Sequence, residues 1–174
     1  MSWLRRARAR APLLLAKFGV VAFAIGLAAW LVGSTLDGLW VGSPIVIDGD
    51  TLEFEKGSVD LFAVDAPEFE QACESKGKSW PCGAYSMAAL LTRVHGKTIW
   101  CFEKGRTSEG QVLAQCYVGL SDVAADLVES GWATVVPDSA NRYATEAQVA
   151  KSATRGVWGS TFQAPADRRV AVTR

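Results

Sequence analysis

Val46-Ile47-Asp48-Gly49-Asp50-Thr51-Leu52, followed by Leu61-Phe62-Ala63-Val64-Asp65-Ala66-Pro67-Glu68, is the stretch on which the fold turns. Asp48-Gly49-Asp50 is a tight-turn signal between two apolar runs, so it predicts a hairpin of Pro44–Ile47 with Thr51–Glu55. Lys56-Gly57 then turns the chain into a third strand, Val59–Val64. Glu68 to Ser79 reads as a polar loop. From Pro81 to Val94 small and apolar residues recur at helical spacing, with Pro81 near the first turn and Gly96 past the end. Thr98–Phe102 and Val112–Val118 flank a turn holding Gly105 and Gly110, giving a second hairpin. Ser121 or Asp122 can cap a helix through Glu129, closed by Gly131, and Asn141 or Arg142 begins another that runs to about Thr154. Five short strands with helices between and after them describe an α+β chain. They fit a small Greek-key barrel of the oligonucleotide/oligosaccharide-binding kind.

The 174 residues allow one such domain plus appendages. We divide the chain into a basic segment 1–11, an apolar segment 12–32, a linker 33–43, the barrel domain 44–160 and an irregular tail 161–174. Pro12 to Val32 is apolar except for Lys17, and as a helix it would measure roughly 31 Å, about one hydrocarbon core. Four arginines precede it and none follow closely, which places the N-terminus in the cytoplasm and the remainder outside. Trp3, Trp30 and Trp40 are positioned to sit at the interfaces. A cleaved secretory signal has the same charge order. Its small-x-small patterns here (Ala22 to Ala24, Gly26 to Ala28) lie inside the apolar run, so a retained inner-membrane anchor is the favoured reading, with the domain in the periplasm. Either reading exports the domain.

The formal charge of zero hides a division. Arg5, Arg6, Arg8, Arg10 and Lys17 are five of the 18 basic residues, and all 18 acidic ones lie from Asp37 onward. Residues 37–174 therefore carry 13 basic against 18 acidic groups, a net of −5. A domain of that sign repels phosphate backbones, which disfavours non-specific nucleic-acid binding. Four cysteines in an exported chain suggest disulfides, with three possible pairings. The midpoint of Cys101 and Cys116 falls inside the second hairpin's turn, so those two would face each other. Cys73 is then left with Cys82, closing a short polar loop.

The two acidic motifs resemble those of the thermonuclease, or staphylococcal nuclease-like, family. The likeness runs from about Pro44 to Trp158 and includes Trp80-Pro81-Cys82-Gly83, Leu113-Ala114, Leu127-Val128 with Gly131-Trp132-Ala133, and Arg155-Gly156-Val157-Trp158. The four cysteines are similar to those of an exported bacterial branch. The resemblance implies a five-stranded barrel with three helices and calcium-dependent hydrolysis of DNA or RNA phosphodiesters. By match to the family motif, Asp50 and Asp65 would hold Ca²⁺ with the Ala66 carbonyl, and Glu68 would orient or deprotonate the attacking water. A hard dication does take oxygen ligands of this sort.

The phosphate clamp implied by the same resemblance is missing. Where the family has an arginine five residues before the second metal aspartate, this chain has Asp60. Where a second arginine ends a Tyr-Gly-Arg run, this chain reads Glu109-Gly110-Gln111. The nucleotide-holding aromatics after Gly131-Trp132-Ala133 are replaced by Val135-Val136-Pro137-Asp138-Ser139. Arg106 and Arg93 are the candidates for supplying positive charge from elsewhere. The expectation is a degenerate site. It suits a binding or accessory module of an inner-membrane assembly, whose partner would be another membrane protein or complex. A surviving calcium-dependent nuclease is the alternative.

Overall fold

The computed structural model describes residues 38–162, apart from 138 and 140, together with Phe23. The proposed anchor at 12–32 and the tail beyond 162 lie outside these residues. Among the described residues no helix is long and apolar enough to cross a membrane.

A mixed sheet forms the body of the domain. Its strands are β1 (Leu39–Gly42), β2 (Ile45–Val46), β3 (Thr51–Phe54), β4 (Gly57–Leu61), β8 (Ile99–Arg106), β9 (Val112–Val118) and β10 (Ser121–Asp122). Their order is β1-β8-β9-β4-β3-β2, with β10 added to β9. All neighbours are antiparallel except β4 and β9, which run parallel from Val59↔Val112 to Leu61↔Ala114. That parallel step brings the Asp48–Glu68 region beside the hairpin arm holding Gln111. Three helices complete the half-barrel: α1 (Cys82–Val94), α2 (Val123–Glu129) and α3 (Ala144–Ser152). A 3-10 turn, Gly156–Gly159, follows.

Alternation along the strands decides which side chains enter the core. Ile99 and Cys101 of β8 point inward, while Trp100 and Phe102 point out. Leu52, Val59, Leu61, Ile99 and Ala114 meet Leu90 and Val94 of α1 and Leu127 and Val128 of α2 in one buried cluster. α1 has no side-chain cap at its start, where Pro81 precedes the first turn. Asp122 caps α2 by accepting the amides of Ala124 and Ala125.

Both local disulfides are present. Cys101 and Cys116 are register partners in the β8–β9 ladder, bridged across a sequence separation of 15. Cys73 and Cys82 are bridged across a separation of 9. The sequence divisions need three adjustments. The expected linker 33–43 gives way to β1 at Leu39, because Trp40 is buried against Phe54 (ring centroids 5.9 Å apart) and not free to lie at an interface. The polar loop contains a hairpin, β6 (Cys73–Ser75) with β7 (Lys78–Trp80), closed by Lys76 and Gly77 at φ 52° and 72°. The expected strand Val59–Val64 breaks after Leu61. Ala63 adopts φ 69°, and the chain re-emerges as β5 (Val64–Asp65), paired with β11 (Thr134–Val135).

Candidate functional site

The break at Ala63 opens a cleft of about 600 Å³ between the β3–β4 arm, the β8–β9 turn and the loop after β11. Asp50, Asp60, Asp65 and Glu68 all line it, as does Gln111. The sequence-predicted site residues thus converge on one place, with Ala66 buried directly behind Asp65. Asp48 and Glu109 bring the lining carboxylates to six, and no lysine or arginine is among the described residues that line the cleft.

Each acidic group is positioned by local chemistry. Asp48 accepts the amides of Asp50 (3.1 Å) and Thr51 (2.8 Å) on Oδ1, so its carboxylate builds the turn. Gly49 is required by crowding. A Cβ there would lie 2.3 Å from Ser86 Oγ and 2.6 Å from the Ala66 side chain. That close approach seats the turn on α1. Asp50 then reaches across to accept the Ala66 amide on Oδ2 at 2.8 Å. Surrounded by protein, its carboxyl is held well above the ordinary carboxylate range, chiefly by burial and next by the charge of Asp48. Asp65 is buried, in β5 beside Thr134, whose hydroxyl donates to the Asp65 carbonyl at 3.0 Å. Glu68 is partly exposed at the cleft edge, and its backbone carbonyl accepts the Gln71 amide. Gly83 permits α1 to begin against that same carbonyl, which a Cβ would meet at 1.7 Å.

The two residues standing in the arginine positions are bonded to each other. Gln111 Nε2 donates to Asp60 Oδ1 at 3.0 Å, and the Thr51 hydroxyl donates to the same oxygen at 2.9 Å. Positions that would clamp a phosphate are therefore closed on themselves across 51 residues of sequence. The rescue candidates are committed elsewhere. Arg106 is paired with Glu103 at 2.9 Å. Arg93 donates to the carbonyls of Ala89 and Asp126 and to Ser130 Oγ, tying α1 to α2. Val136, Pro137 and Ser139 supply the wall where the family's aromatics would stand.

Calcium fits the donor set in kind, since carboxylates and a carbonyl are what a hard dication takes. As placed, the side chains are not gathered around one ion. Among the described residues no group of three or more His, Cys, Asp or Glu is gathered to hold an ion. One oxygen of Asp50 accepts the Ala66 amide.

Sequence reasoning missed the aromatic and cationic support behind the cleft. Phe62 lines the wall, and the Arg142 guanidinium lies 5.9 Å from the Phe62 ring and 5.2 Å from that of Tyr143. Arg142 and Tyr143 are neighbours in sequence, but only the tertiary fold brings Phe62 to them, so no sequence spacing could have found the contact. Two of the resemblance motifs outside the cleft come together: Gly131 and Gly156 touch backbone to backbone, and the Val157 amide donates to the Gly131 carbonyl at 3.0 Å.

Comparison with known proteins agrees with this geometry. The profile of the family described as "Staphylococcal nuclease homologue" matches residues 58–160, a span that holds Asp60, Asp65, Glu68 and Gln111 but begins after Asp50. The family is calcium-dependent in general. A relative named "Succinoglycan biosynthesis protein ExoI", from Rhizobium meliloti (strain 1021), is 37% identical over 123 residues. That alignment covers 68% of this chain and 64% of the relative, so the chain spans somewhat less than two thirds of that protein's length. With the half-barrel, the convergent carboxylates and the Gly131–Gly156 contact, these matches show that the chain belongs to the staphylococcal nuclease homologue family.

Proposed function

We propose that this protein is a membrane-anchored, periplasm-facing thermonuclease-like module that no longer cleaves phosphodiesters and serves as an accessory part of an inner-membrane assembly. The observation that carries the reading is the Gln111–Asp60 hydrogen bond in place of two guanidinium groups. Loss of one such finger in phosphoryl transfer costs on the order of 10³ to 10⁵ in rate. Asp60 adds a charge of the wrong sign. At an effective dielectric near 20, a phosphate about 5 Å from a carboxylate is repelled by roughly 3 kcal/mol. The other ionised carboxylates of the lining act in the same direction.

The apolar segment 12–32 and its preceding arginines support the anchor, and the two disulfides suit an oxidising compartment. The relative named for succinoglycan biosynthesis supports a role beside biosynthetic machinery. Partners would be met through the anchor, the barrel or the tail.

One observation favours a second reading, a surviving calcium-dependent nuclease: Asp50, Asp65 and Glu68 still share the cleft. Incubating the purified full chain with single-stranded DNA, with calcium and with chelator, separates the two. The accessory reading expects no cleavage above the chelated control, together with reproducible recovery of a partner complex in mild detergent. Calcium-dependent cleavage that disappears in Asp65→Ala would establish the nuclease instead.

A further inference from the structure

Barrels of the oligonucleotide/oligosaccharide-binding kind hold either class of ligand on one sheet face and the loops beside it. In this chain the family motif marks the place, since Asp50, Asp65 and Glu68 line the cleft. The rest of the lining decides between the two ligands. It holds six carboxylates, with no lysine or arginine among the described residues. A phosphate strand would be repelled there and would find no counter-charge. A neutral chain rich in hydroxyls avoids that repulsion, and its hydroxyls donate strong hydrogen bonds to carboxylates.

A cation is the other ligand that acidic groups suggest, and the local bonding argues against it. Among the described residues no three carboxylates are gathered around a point. Several are held by neutral donors instead. Asp60 Oδ1 accepts the Gln111 amide and the Thr51 hydroxyl. Asp48 Oδ1 accepts two backbone amides, and Glu109 accepts the Ser108 hydroxyl at 2.6 Å. The Gln111–Asp60 bond uses one N–H and one carboxylate oxygen. Asp60 keeps a second acceptor, and Gln111 keeps a carbonyl and another N–H. An acceptor beside a group that both donates and accepts is the pairing that two neighbouring hydroxyls require.

The remaining lining matches the other half of a sugar's surface. Leu61, Phe62, Val64, Leu113, Val136 and Pro137 give the cleft an apolar wall. A pyranose carries C–H groups on its faces and hydroxyls around its edge, so it presents both kinds of surface at once. Mostly apolar walls with a few placed polar groups are the usual build of a small-ligand site, and about 600 Å³ is within the usual size.

We infer that the cleft lined by Asp60, Phe62, Glu109 and Gln111 binds a neutral oligosaccharide. The carboxylates and the amide take its hydroxyls, and the Phe62 wall takes a ring face. The inference rests on the reading above that this cleft has lost its phosphate clamp.

The test is saturation-transfer NMR on the full chain, in a detergent without a sugar headgroup. The probes are cellotetraose, mannotetraose and galactotetraose. The expected result is transfer to at least one of them and none to tetragalacturonate, whose carboxylates the cleft repels. Asp60→Asn exchanges the outer acceptor for a donor and should weaken binding roughly fivefold to tenfold. Glu109→Gln, on an exposed turn where the fold is not at risk, should weaken it as well. Transfer to none of the three, or transfer unchanged in both variants, would overturn the inference. So would spermine giving variant-sensitive transfer where the sugars give none, since the cleft would then be a cation site. Single-stranded DNA and calcium added to the same preparation separate the two readings. Cleavage would remove the accessory reading, whereas an inert protein that binds no sugar would remove the oligosaccharide alone.

Discussion

Asp122 joins three elements through one carboxylate, which makes its removal a calculable perturbation. Oδ1 accepts the α2 amides of Ala124 (3.1 Å) and Ala125 (3.3 Å). Oδ2 accepts Gln115 Nε2 from β9 and the Tyr143 hydroxyl from the start of α3, both at 2.8 Å. In Asp122→Ala the lost helix cap costs about 1 kcal/mol. Gln115 and Tyr143 are only 7% and 9% exposed, so each is left with a donor that water reaches poorly. At ~1–3 kcal/mol for each orphaned donor, the total comes to about 3–7 kcal/mol. Asp122→Asn keeps an acceptor for the cap but turns an amide group toward two donors, so it should fall between parent and Asp122→Ala. Urea unfolding of the oxidised protein, followed by tryptophan fluorescence, should show the midpoint dropping in that order with an unchanged slope. A loss under about 1 kcal/mol in Asp122→Ala, or equal losses in the two variants, would refute the hub.

Three further outcomes are expected. Replacing Cys101 and Cys116 by alanine should cost about 3 kcal/mol, and replacing Cys73 and Cys82 slightly less, because the loops closed have separations of 15 and 9; chemical denaturation of each pair variant measures both. Gly131→Ala and Gly77→Ala share a left-handed φ (78° and 72°), but a Cβ at Gly131 meets the Arg155 carbonyl at 2.2 Å whereas Gly77 has open space. Melting should show Gly77→Ala losing ~1–2 kcal/mol from backbone strain alone and Gly131→Ala losing clearly more. The Tyr143 hydroxyl is pushed up to about 12, first by burial and then by Asp122, against an ordinary 10.0. Between pH 10 and 12 the unfolded chain gives up that proton while the folded one keeps it, so stability must fall as pH rises through this window. Urea midpoints measured across it should fall more steeply in the parent than in Tyr143→Phe.

Local signals carried most of the fold. Asp48-Gly49-Asp50 and Lys56-Gly57 marked two turns, the hairpin midpoint paired Cys101 with Cys116, and the cap was readable as Ser121 or Asp122, because each is fixed within a few residues. Elements stabilised from a distance were not readable. β1 is four residues long and exists because Trp40 finds Phe54 and because β8 offers an edge. β5 and β11 are two-residue strands that pair only after Ala63 has turned the chain, and an alanine at φ 69° leaves no sequence mark. The candidate site divides in the same way. The family motif pointed to Asp50, Asp65 and Glu68, and the substitutions at Asp60 and Gln111 were visible as missing arginines. That those two replacements bond to each other is a tertiary fact, as is the shelter of Phe62 under Arg142.

The central claim is that the cleft lost its phosphate clamp and kept its frame. The direct test is calcium-dependent cleavage of single-stranded DNA by the full chain in detergent, compared with an Asp60→Arg/Gln111→Arg double variant. The account predicts an inert parent and a double variant that gains cleavage abolished by chelator. A parent that already cleaves DNA in a calcium-dependent, Asp65-dependent way would contradict it.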